Sequence, residues 1–291
     1  MYHRFDENKF PSTSISKALF EKHIKHLIDG NIKILPLTEL SKYFKEKKRL
    51  PERSVFITID DAFKSFYFNG FPILKKYELP FSVFVSADFV SNEPNSDFMS
   101  WSMLKEISKN NGLVLNHSKS HRSFLEINET EIVREVKENQ KKLEDHLGVQ
   151  LKIFSYPFGE SNQNIEDLIK LLNYEFAFSQ HSAPIQKNEN KFRLPRFSLN
   201  DEFGNLKRFK TIIKSKPLNA FDISFNDTIL KSSRLELSFK SNFPSEMINC
   251  FINNSAELEK KNIFNEVRLY INKLKVGVRY RINCTLVDQK R

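Results

Sequence analysis

The stretch "SVFITIDDAF" (54–63) begins as a run of β-forming residues and ends at two aspartates, Asp60 and Asp61. Val, Ile, Phe and Thr favour a buried strand, which then presents two carboxylates at its C-terminal end. In an α/β barrel, active sites are built at that face of the strands. Aspartate is also a favoured N-cap of a helix, so the pair alone leaves two interpretations open: the start of a helix or part of a site.

Segments of helical periodicity and short apolar runs alternate around this stretch, from residue 16 to about 180. The apolar runs include "PFSVFVSA" (80–87), "GLVLN" (112–116) and "YEFAFSQ" (174–180), and an amphipathic helix is predicted over 129–147. Such alternation is typical of an α/β fold with a parallel sheet or barrel. We therefore expect residues 1–214 to form an α/β barrel domain.

The pattern changes to strict alternation of apolar and polar residues towards the C-terminus. "SRLELSFKS" (233–241) and "VGVRYRINCTL" (276–286) both show it, and it indicates antiparallel strands. Residues 215–291 are therefore expected to form a small β-rich appended domain. The two cysteines, Cys250 and Cys284, both fall there, and two free thiols or one disulfide remain open as interpretations.

Composition and charge exclude some classes of function. The 291 residues carry a formal net charge of +10, but the basic residues are spread along the chain and paired with acids in helices. No nucleic-acid-binding motif accompanies them, so no nucleic-acid partner is expected. An anionic envelope surface and neutral drift towards lysine explain the charge equally well. No apolar run approaches the roughly 18 residues of a membrane span, and no signal peptide is recognised.

Two histidines four positions apart, His117 and His121, follow the apolar run "GLVLN" in the segment "HSKSH". This spacing alone is weak evidence for a metal site, because it often occurs by chance. Combined with one of the aspartates, however, the two imidazoles form a set that binds Zn²⁺ or a similar divalent ion with open positions. The other aspartate is then available as a base. His3 is expected to be an ordinary strand histidine, with a groove-lining role as the alternative.

These motifs resemble those of the polysaccharide deacetylases of carbohydrate esterase family 4. "TIDDAF" (58–63), "HSKSH" (117–121) and "SYPFGE" (155–160) are similar to the family's first three motifs, in order. The resemblance covers about residues 1–200. It implies a distorted (β/α) barrel with fewer than eight regular strands. It also implies metal-dependent removal of N-acetyl groups from amino sugars of a cell-envelope or extracellular polysaccharide.

The resemblance also implies roles for individual residues. Asp61, His117 and His121 would hold one divalent ion, with Zn²⁺ the first choice and Co²⁺, Ni²⁺ or Mn²⁺ as alternatives. Asp60 would be the base, and the backbone N–H of Phe158 would stabilise the oxyanion. The substrate is expected to contact Tyr156 and Pro157. Trp101, the only tryptophan, is a further candidate for substrate contact, with a role as a core anchor as the alternative.

The chain departs from the family motifs in three places. Ala62 replaces a glycine, and Ser155 stands where the third motif carries an arginine that orients the base. Arg196 is the candidate to supply that charge, and His181 is the candidate general acid. These departures motivate an alternative: a glycan-binding protein that kept the barrel and lost turnover. The expected partner is an N-acetylated glycan, and the expected location is periplasmic, envelope-associated or secreted.

Overall fold

The computed structural model describes residues 1–46, 49–186, 189–225, 227–230 and 232–286. The chain divides into two compact units. The first comprises Met1–Gln180 and Glu189–Ser215, and the second comprises His181–Asn188 and Lys216–Arg291. This division falls one residue from the boundary expected at 214/215, and it groups the segment 181–188 with the second unit. The final residues of the chain, 287–291, lie outside the described part.

Within its described residues, the first unit contains nine short strands and seven α-helices. The strands are β1 (Arg4–Phe5), β2 (Ser14–Ile15), β3 (Lys33–Ile34), β4 (Ser54–Val55), β5 (Thr58–Asp60), β6 (Phe81–Val85), β7 (Gly112–Asn116), β8 (Ile153–Ser155) and β9 (Phe176–Phe178). The helices are α1 (Lys17–Asp29), α2 (Leu37–Glu46), α3 (Phe71–Lys76), α4 (Trp101–Ser108), α5 (Glu129–Leu147), α6 (Gln163–Leu171) and α7 (Leu206–Lys214).

The central sheet is parallel and has the order β5-β6-β7-β8-β9. Its strands are almost continuously buried, as expected when helices cover a parallel sheet. The α/β class with a parallel sheet is therefore confirmed. The run 54–59 is not one strand, however: β4 pairs with β3 in a separate two-stranded sheet, and β5 begins only at Thr58.

Two irregular segments extend the sheet at its edges. At one edge, Tyr2 forms a parallel bridge with Ile59, and at the other Leu194 forms one with Phe178. The N–H of Leu199 then donates to the carbonyl of Met1 at 3.0 Å, which links the two segments. The sheet is thus curled towards a closed barrel by chain that is not regular strand, in agreement with the distorted barrel implied by the motifs.

The helix α5 matches the predicted bounds and has clear end signals. Asn128 accepts from the N–H of Glu131, and the Glu131 side chain accepts from the N–H of Asn128, which completes a capping box. Gly148 ends the helix with a left-handed φ of 68°. One face of α5 packs on the sheet and, unusually, that face carries polar as well as apolar side chains.

The second unit is built from antiparallel strands, in agreement with the expected β-rich C-terminal region. They are β10 (Leu235–Lys240), β11 (Ile248–Ile252), β12 (Glu257–Ile263), β13 (Glu266–Asn272) and β14 (Ile282–Leu286). They form one sheet of order β10-β13-β12 and one of order β11-β14. Cys250 and Cys284 lie opposite each other in β11 and β14 and form a disulfide. The alternation seen from residue 276 becomes strand only at Ile282, after a turn in which Gly277 has a φ of 72°.

Candidate active site

The carboxyl ends of the parallel strands bring the candidate residues of the first unit together. Asp60 is the last residue of β5 and Asp61 follows it, His117 directly follows β7, and Ser155 ends β8. These strands are neighbours or near neighbours in the sheet, so side chains distant in sequence meet at one edge. This is the face on which barrel enzymes build their sites.

Asp61, His117 and His121 offer one ligand atom each, and these three atoms lie within 4.8 Å of one another. The Asp61 Oδ1 atom is 3.4 Å from Nε2 of His117 and 3.3 Å from Nε2 of His121. Two imidazole nitrogens and one carboxylate oxygen form a donor set that suits Zn²⁺ and leaves positions open for water and substrate. The residues present therefore fit a divalent metal ion.

The orientation of the His117 ring is set by a hydrogen bond on its far side. Its Nδ1 lies 2.7 Å from the carbonyl oxygen of Ser155. A carbonyl can only accept, so Nδ1 carries the hydrogen and the lone pair of Nε2 points towards Asp61 and His121. Histidine ligands of metals are commonly oriented by such a bond from the other nitrogen.

The electrostatics of the cluster differ between its two histidines. Burial and the charge of His117 lower the pKa of His121 to about 4, which leaves its imidazole neutral near pH 7. Burial alone would lower the pKa of His117, but its hydrogen bond to Asp61 and the charge of Asp60 outweigh burial and raise it. Only a neutral imidazole binds a metal ion, so metal binding should weaken in acid.

Asp60 is fully buried and forms a two-point ion pair with Arg196. Nη1 of Arg196 donates to Oδ1 at 2.8 Å, and Nη2 donates to Oδ2 at 2.7 Å. Nη2 also donates to Oγ of Ser155 at 2.8 Å. Burial by itself raises the pKa of Asp60, but the charges of Arg196 and His117 outweigh it and hold this pKa below its usual range. The pairing expected between Arg196 and Asp60 is thus present, and Ser155, at the position of the motif arginine, accepts a hydrogen bond from the same guanidinium.

The backbone around the cluster is unusual because five non-glycine residues adopt positive φ. The values are 72° for Asp61, 57° for Ala62, 61° for Ser118, 55° for His121 and 57° for Phe158. This left-handed region favours glycine, and residues held there concentrate at functional sites. Ala62, at the position of the motif glycine, has a left-handed φ, a conformation that glycine adopts without strain.

The third motif exposes one of its aromatic rings and buries the other. Phe158 is 45% exposed, and its ring lies edge-on to His121 with centroids 4.6 Å apart. Tyr156 is fully buried, and its hydroxyl donates to the carbonyl of Phe192 at 3.0 Å. Because side chains alternate along an extended chain, Ser155 faces Asp60 while Tyr156 faces the covering layer. Pro157 is buried as well. Neither side chain offers a surface in this structure, so burial disfavours the substrate contacts expected of Tyr156 and Pro157, which remain predictions.

Two other predicted residues are not brought to the cluster by any described contact. Trp101 begins α4, and its ring stacks on His146 near the end of α5, with centroids 4.1 Å apart. It also packs against the main hydrophobic core, so its described contacts are those of a packing residue. His181 belongs to the segment grouped with the second unit. A substrate contact of Trp101 and an acid role of His181 remain predictions.

His3, which the sequence favoured as an ordinary strand histidine, is a candidate for the site. The N–H of Tyr2 donates to the carbonyl of Thr58, and the N–H of Asp60 donates to the carbonyl of Tyr2, both at 2.9 Å. Tyr2 packs its ring on Phe20 of α1, so alternation turns His3 to the opposite face, which Asp60 also occupies. In line with this, burial lowers the pKa of His3 while the charges of Asp61 and Asp60 oppose that shift. The groove-lining alternative for His3 is therefore favoured.

The arrangement is that of a metal-dependent hydrolase site, and comparison with known proteins places the chain among them. The family described as polysaccharide deacetylase matches residues 47–177. The poly-beta-1,6-N-acetyl-D-glucosamine N-deacetylase of Staphylococcus aureus is 32% identical over 201 residues, which cover 65% of this chain and 69% of the relative. The chain therefore belongs to the polysaccharide deacetylase family and is a hydrolase that acts on an amide bond.

Solved structures share the fold. A Streptococcus pyogenes deacetylase, PplD, determined in complex with acetate, superposes with a TM-score of 0.68 at 17% identity, covering 74% of this chain and 96% of that one. IcaB from Ammonifex degensii superposes with a TM-score of 0.66 at 21% identity, covering 74% and 95%. These likenesses show the fold. The expected enzyme class is confirmed by the family and by the Staphylococcus aureus relative, and the alternative of a glycan-binding protein without turnover gains no support.

Proposed function

We propose that this protein removes N-acetyl groups from a β-1,6-linked N-acetylglucosamine polymer, releasing acetate and leaving free amines. The observation that carries the proposal is the carboxylate pair of the first motif. Asp61 faces two imidazoles, while Asp60 is held ionised beside it by Arg196. The choice of polymer rests on the Staphylococcus aureus relative, whose name specifies this linkage.

Asp61, His117 and His121 would hold one divalent ion in this proposal. Zn²⁺ suits two nitrogens and one oxygen best, and Co²⁺, Ni²⁺ or Mn²⁺ are the alternatives. Bound there, the ion would polarise the acetyl carbonyl and lower the pKa of water. Phe158 would donate its backbone N–H to the oxyanion as the carbonyl carbon becomes tetrahedral.

Asp60 would act as the base. It takes a proton from the attacking water as the water oxygen bonds to the carbonyl carbon. A base must be ionised to do this, and the paired guanidinium of Arg196 keeps Asp60 so and fixes its direction. Collapse of the tetrahedral species breaks the C–N bond and yields acetate and an amine.

The departing nitrogen needs a proton, because an amide anion is too poor a leaving group at neutral pH. His181 is the donor expected from the sequence. His3 is a second candidate, favoured by its place beside Asp60 on the same face of the first unit. Histidine suits the role when its pKa lies near neutrality, whereas burial lowers the pKa of His3, which counts against His3 as the donor. The two candidates lie in different units, so separate substitutions distinguish them.

The test is an acetate-release assay on defined oligomers. The purified protein would be given β-1,6-linked and β-1,4-linked N-acetylglucosamine oligomers of equal length, with and without a chelator. Release from the β-1,6 series that stops with chelator and returns with Zn²⁺ is expected. Release from the β-1,4 series alone would contradict the choice of polymer. Binding of oligomers with no release from any would instead revive the glycan-binding alternative.

We further propose that the protein acts outside the cytoplasm, in contact with the envelope or the extracellular polymer. The Cys250–Cys284 disulfide supports this, because such bonds persist in oxidising compartments. Within the described ranges, no helix has both the length and the apolar character needed to span a membrane. Extracellular protease treatment of intact cells, followed by detection of the chain, would test the location.

A further inference from the structure

Helix α5 places two buried polar side chains behind the segment 117–121, which carries both candidate histidine ligands and is called the ligand loop below. Glu135 is 5% exposed and Asn139 is fully buried. They lie four residues apart, so they stand one above the other on the same face of the helix. Neither touches the candidate reacting atoms, and neither belongs to a motif discussed above.

Glu135 binds the middle of the ligand loop through both of its carboxylate oxygens. Oε2 accepts from the N–H of Lys119 at 3.0 Å and from the N–H of Ser120 at 2.8 Å. Oε1 accepts from the hydroxyl of Ser120 at 2.8 Å. A buried carboxylate is costly unless hydrogen bonds replace its water, and here two successive residues of the loop supply them. If the loop left this position, the carboxylate would lose its hydrogen-bond donors or become exposed to water.

Asn139 fixes the strand end from which the ligand loop starts. Its Oδ1 accepts from the N–H of Ala87, and its Nδ2 donates to the carbonyl of Val85 and to Oδ1 of Asn116, at 2.8–2.9 Å. The same Oδ1 of Asn116 accepts from the N–H of Ser118 at 3.0 Å. Asn139 thus ties the carboxyl end of β6 to that of β7 and, through Asn116, to the first turn of the loop.

The loop needs such support because its own backbone is strained. Ser118 and His121 have φ values of 61° and 55°, and neither is glycine. Within the loop, Oγ of Ser118 accepts from the N–H of His121 at 3.1 Å, which sets the distance between the two ends. Residues persist in this conformation when the surroundings determine it, and Glu135 and Asn139 are those surroundings.

We propose that Glu135 and Asn139 are positioning residues that hold His117 and His121 in the geometry required for metal binding. The inference rests on the proposed function, since it takes the two histidines to be ligands. Glu135 acts through the N–H groups of the ligand loop, and Asn139 acts through Asn116. Side chains that orient metal ligands from behind commonly change metal affinity by 10–100-fold when they are removed.

The experiment compares Glu135→Ala and Glu135→Gln with a matched control, Glu138→Gln. Glu138 lies on the same helix and pairs with the same loop residue, but through the exposed side chain of Lys119 at 2.6 Å. Glu135→Gln and Glu138→Gln remove the same charge, and only the former disturbs the bonds to the loop backbone. The readouts are the Zn²⁺ dissociation constant and the visible absorption of the Co²⁺-loaded protein, which reports ligand geometry.

We expect Glu135→Ala to weaken Zn²⁺ binding roughly tenfold or more and to alter the Co²⁺ spectrum. Glu135→Gln should lose less, because its amide oxygen still accepts from the loop. Glu138→Gln should stay within about twofold, as expected for an exposed ion pair. Wild-type affinity and spectrum in folded Glu135→Ala would overturn the inference. If that variant does not fold, the same result in Glu135→Gln overturns it.

The control variant distinguishes the effect of losing a charge from the effect of losing the bonds to the loop. The wild-type measurements distinguish a failure of this inference from a failure of the proposed function. An equal loss of affinity in Glu138→Gln and Glu135→Gln would mean that charge alone matters, which also overturns the inference. Wild-type protein that binds no metal would overturn the proposed function together with it. Wild-type protein that binds metal and releases acetate, beside unchanged Glu135 variants, would overturn the positioning role alone.

Discussion

Arg196 and Asp60 are 136 residues apart in the chain, yet the guanidinium donates to both carboxylate oxygens, at 2.8 and 2.7 Å. Both side chains are buried, so the pair is shielded from solvent. The segment carrying Arg196 also links the two edges of the curled sheet through Leu194 and Leu199. One segment therefore helps to close the barrel and sets the charge state of the proposed base.

Removal of the guanidinium should shift the pH dependence of the enzyme. Without Arg196, burial dominates and raises the pKa of Asp60, so more of the base is protonated at a given pH. We expect the acidic limb of kcat/KM to move to higher pH in Arg196→Ala, with a smaller shift in Arg196→Lys, which keeps the charge and loses the two-point geometry. A pH–rate profile that coincides with the wild type would contradict this role.

The same substitution should also affect folding stability. Asp60 has a folded-state pKa below its ordinary value of 3.8, so its pair stabilises the protein above that pH, and the stabilisation is lost as the pH falls. Breaking a buried pair by removing one partner costs about 3–5 kcal/mol. Denaturant unfolding of Arg196→Ala at pH 7 should show a loss of this order, and the difference from wild type should shrink in acid.

Substitutions of the two adjacent aspartates should differ in their effects on metal binding and on turnover. Asp60→Asn is expected to retain the metal and to lose turnover by about 10²-fold or more, as for a positioned base. His117→Ala combined with His121→Ala should lose the metal itself. Metal content measured beside acetate release tests both. Loss of metal in Asp60→Asn would show that the roles of Asp60 and Asp61 are reversed.

The proton donor can be assigned by comparing His3→Gln with His181→Gln. If His3 is the donor, His3→Gln should lower kcat by about 10²-fold or more with metal content unchanged, while His181→Gln stays near wild type. The reverse result would assign the role to His181. Equal, small effects would exclude both histidines as essential donors. His26, a partly exposed histidine of α1, offers a control substitution.

Ala62 should tolerate glycine and reject a branched side chain. The left-handed φ of 57° favours glycine, but glycine loses the buried methyl group and adds freedom to the unfolded chain. These effects oppose one another, so Ala62→Gly should stay within about 1 kcal/mol of wild type and remain active. Ala62→Val should lose about 2 kcal/mol or more, because valine is excluded from this φ and overpacks the site. Thermal unfolding and acetate release would measure both.

The disulfide of the second unit should matter for its stability. Cys250 and Cys284 are 34 residues apart, and a loop of that length corresponds to about 4 kcal/mol in the chain-entropy estimate. Paired Cys250→Ser and Cys284→Ser substitutions should speed hydrogen exchange in β10 to β14. Unchanged exchange there would mean that the strands hold together without the bond.

The sequence by itself determined the class of fold and the set of candidate ligands. Hydrophobic periodicity and end signals are local, so the bounds of α5 and β7 could be predicted closely. Asp60, Asp61, His117 and His121 all follow apolar runs, and the carboxyl ends of parallel strands must meet at one edge. Their placement at one edge therefore needed no knowledge of which strands are neighbours, whereas the distances between them depend on the strand order.

The tertiary structure alone decided the residues that act across the closure of the barrel. The sequence identified Arg196 only as a candidate. In the structure Arg196 pairs with Asp60 because an irregular segment links β9 back to the start of the chain. His3 faces Asp60 because Tyr2 pairs with Ile59, and a shift of one residue would have turned it away. Register also buries Tyr156. The periodicity of α5 shows only that the face carrying Glu135 is buried, and the tertiary structure brings that face against the ligand loop. Register and closure depend on contacts far apart in the chain, and local patterns do not encode them.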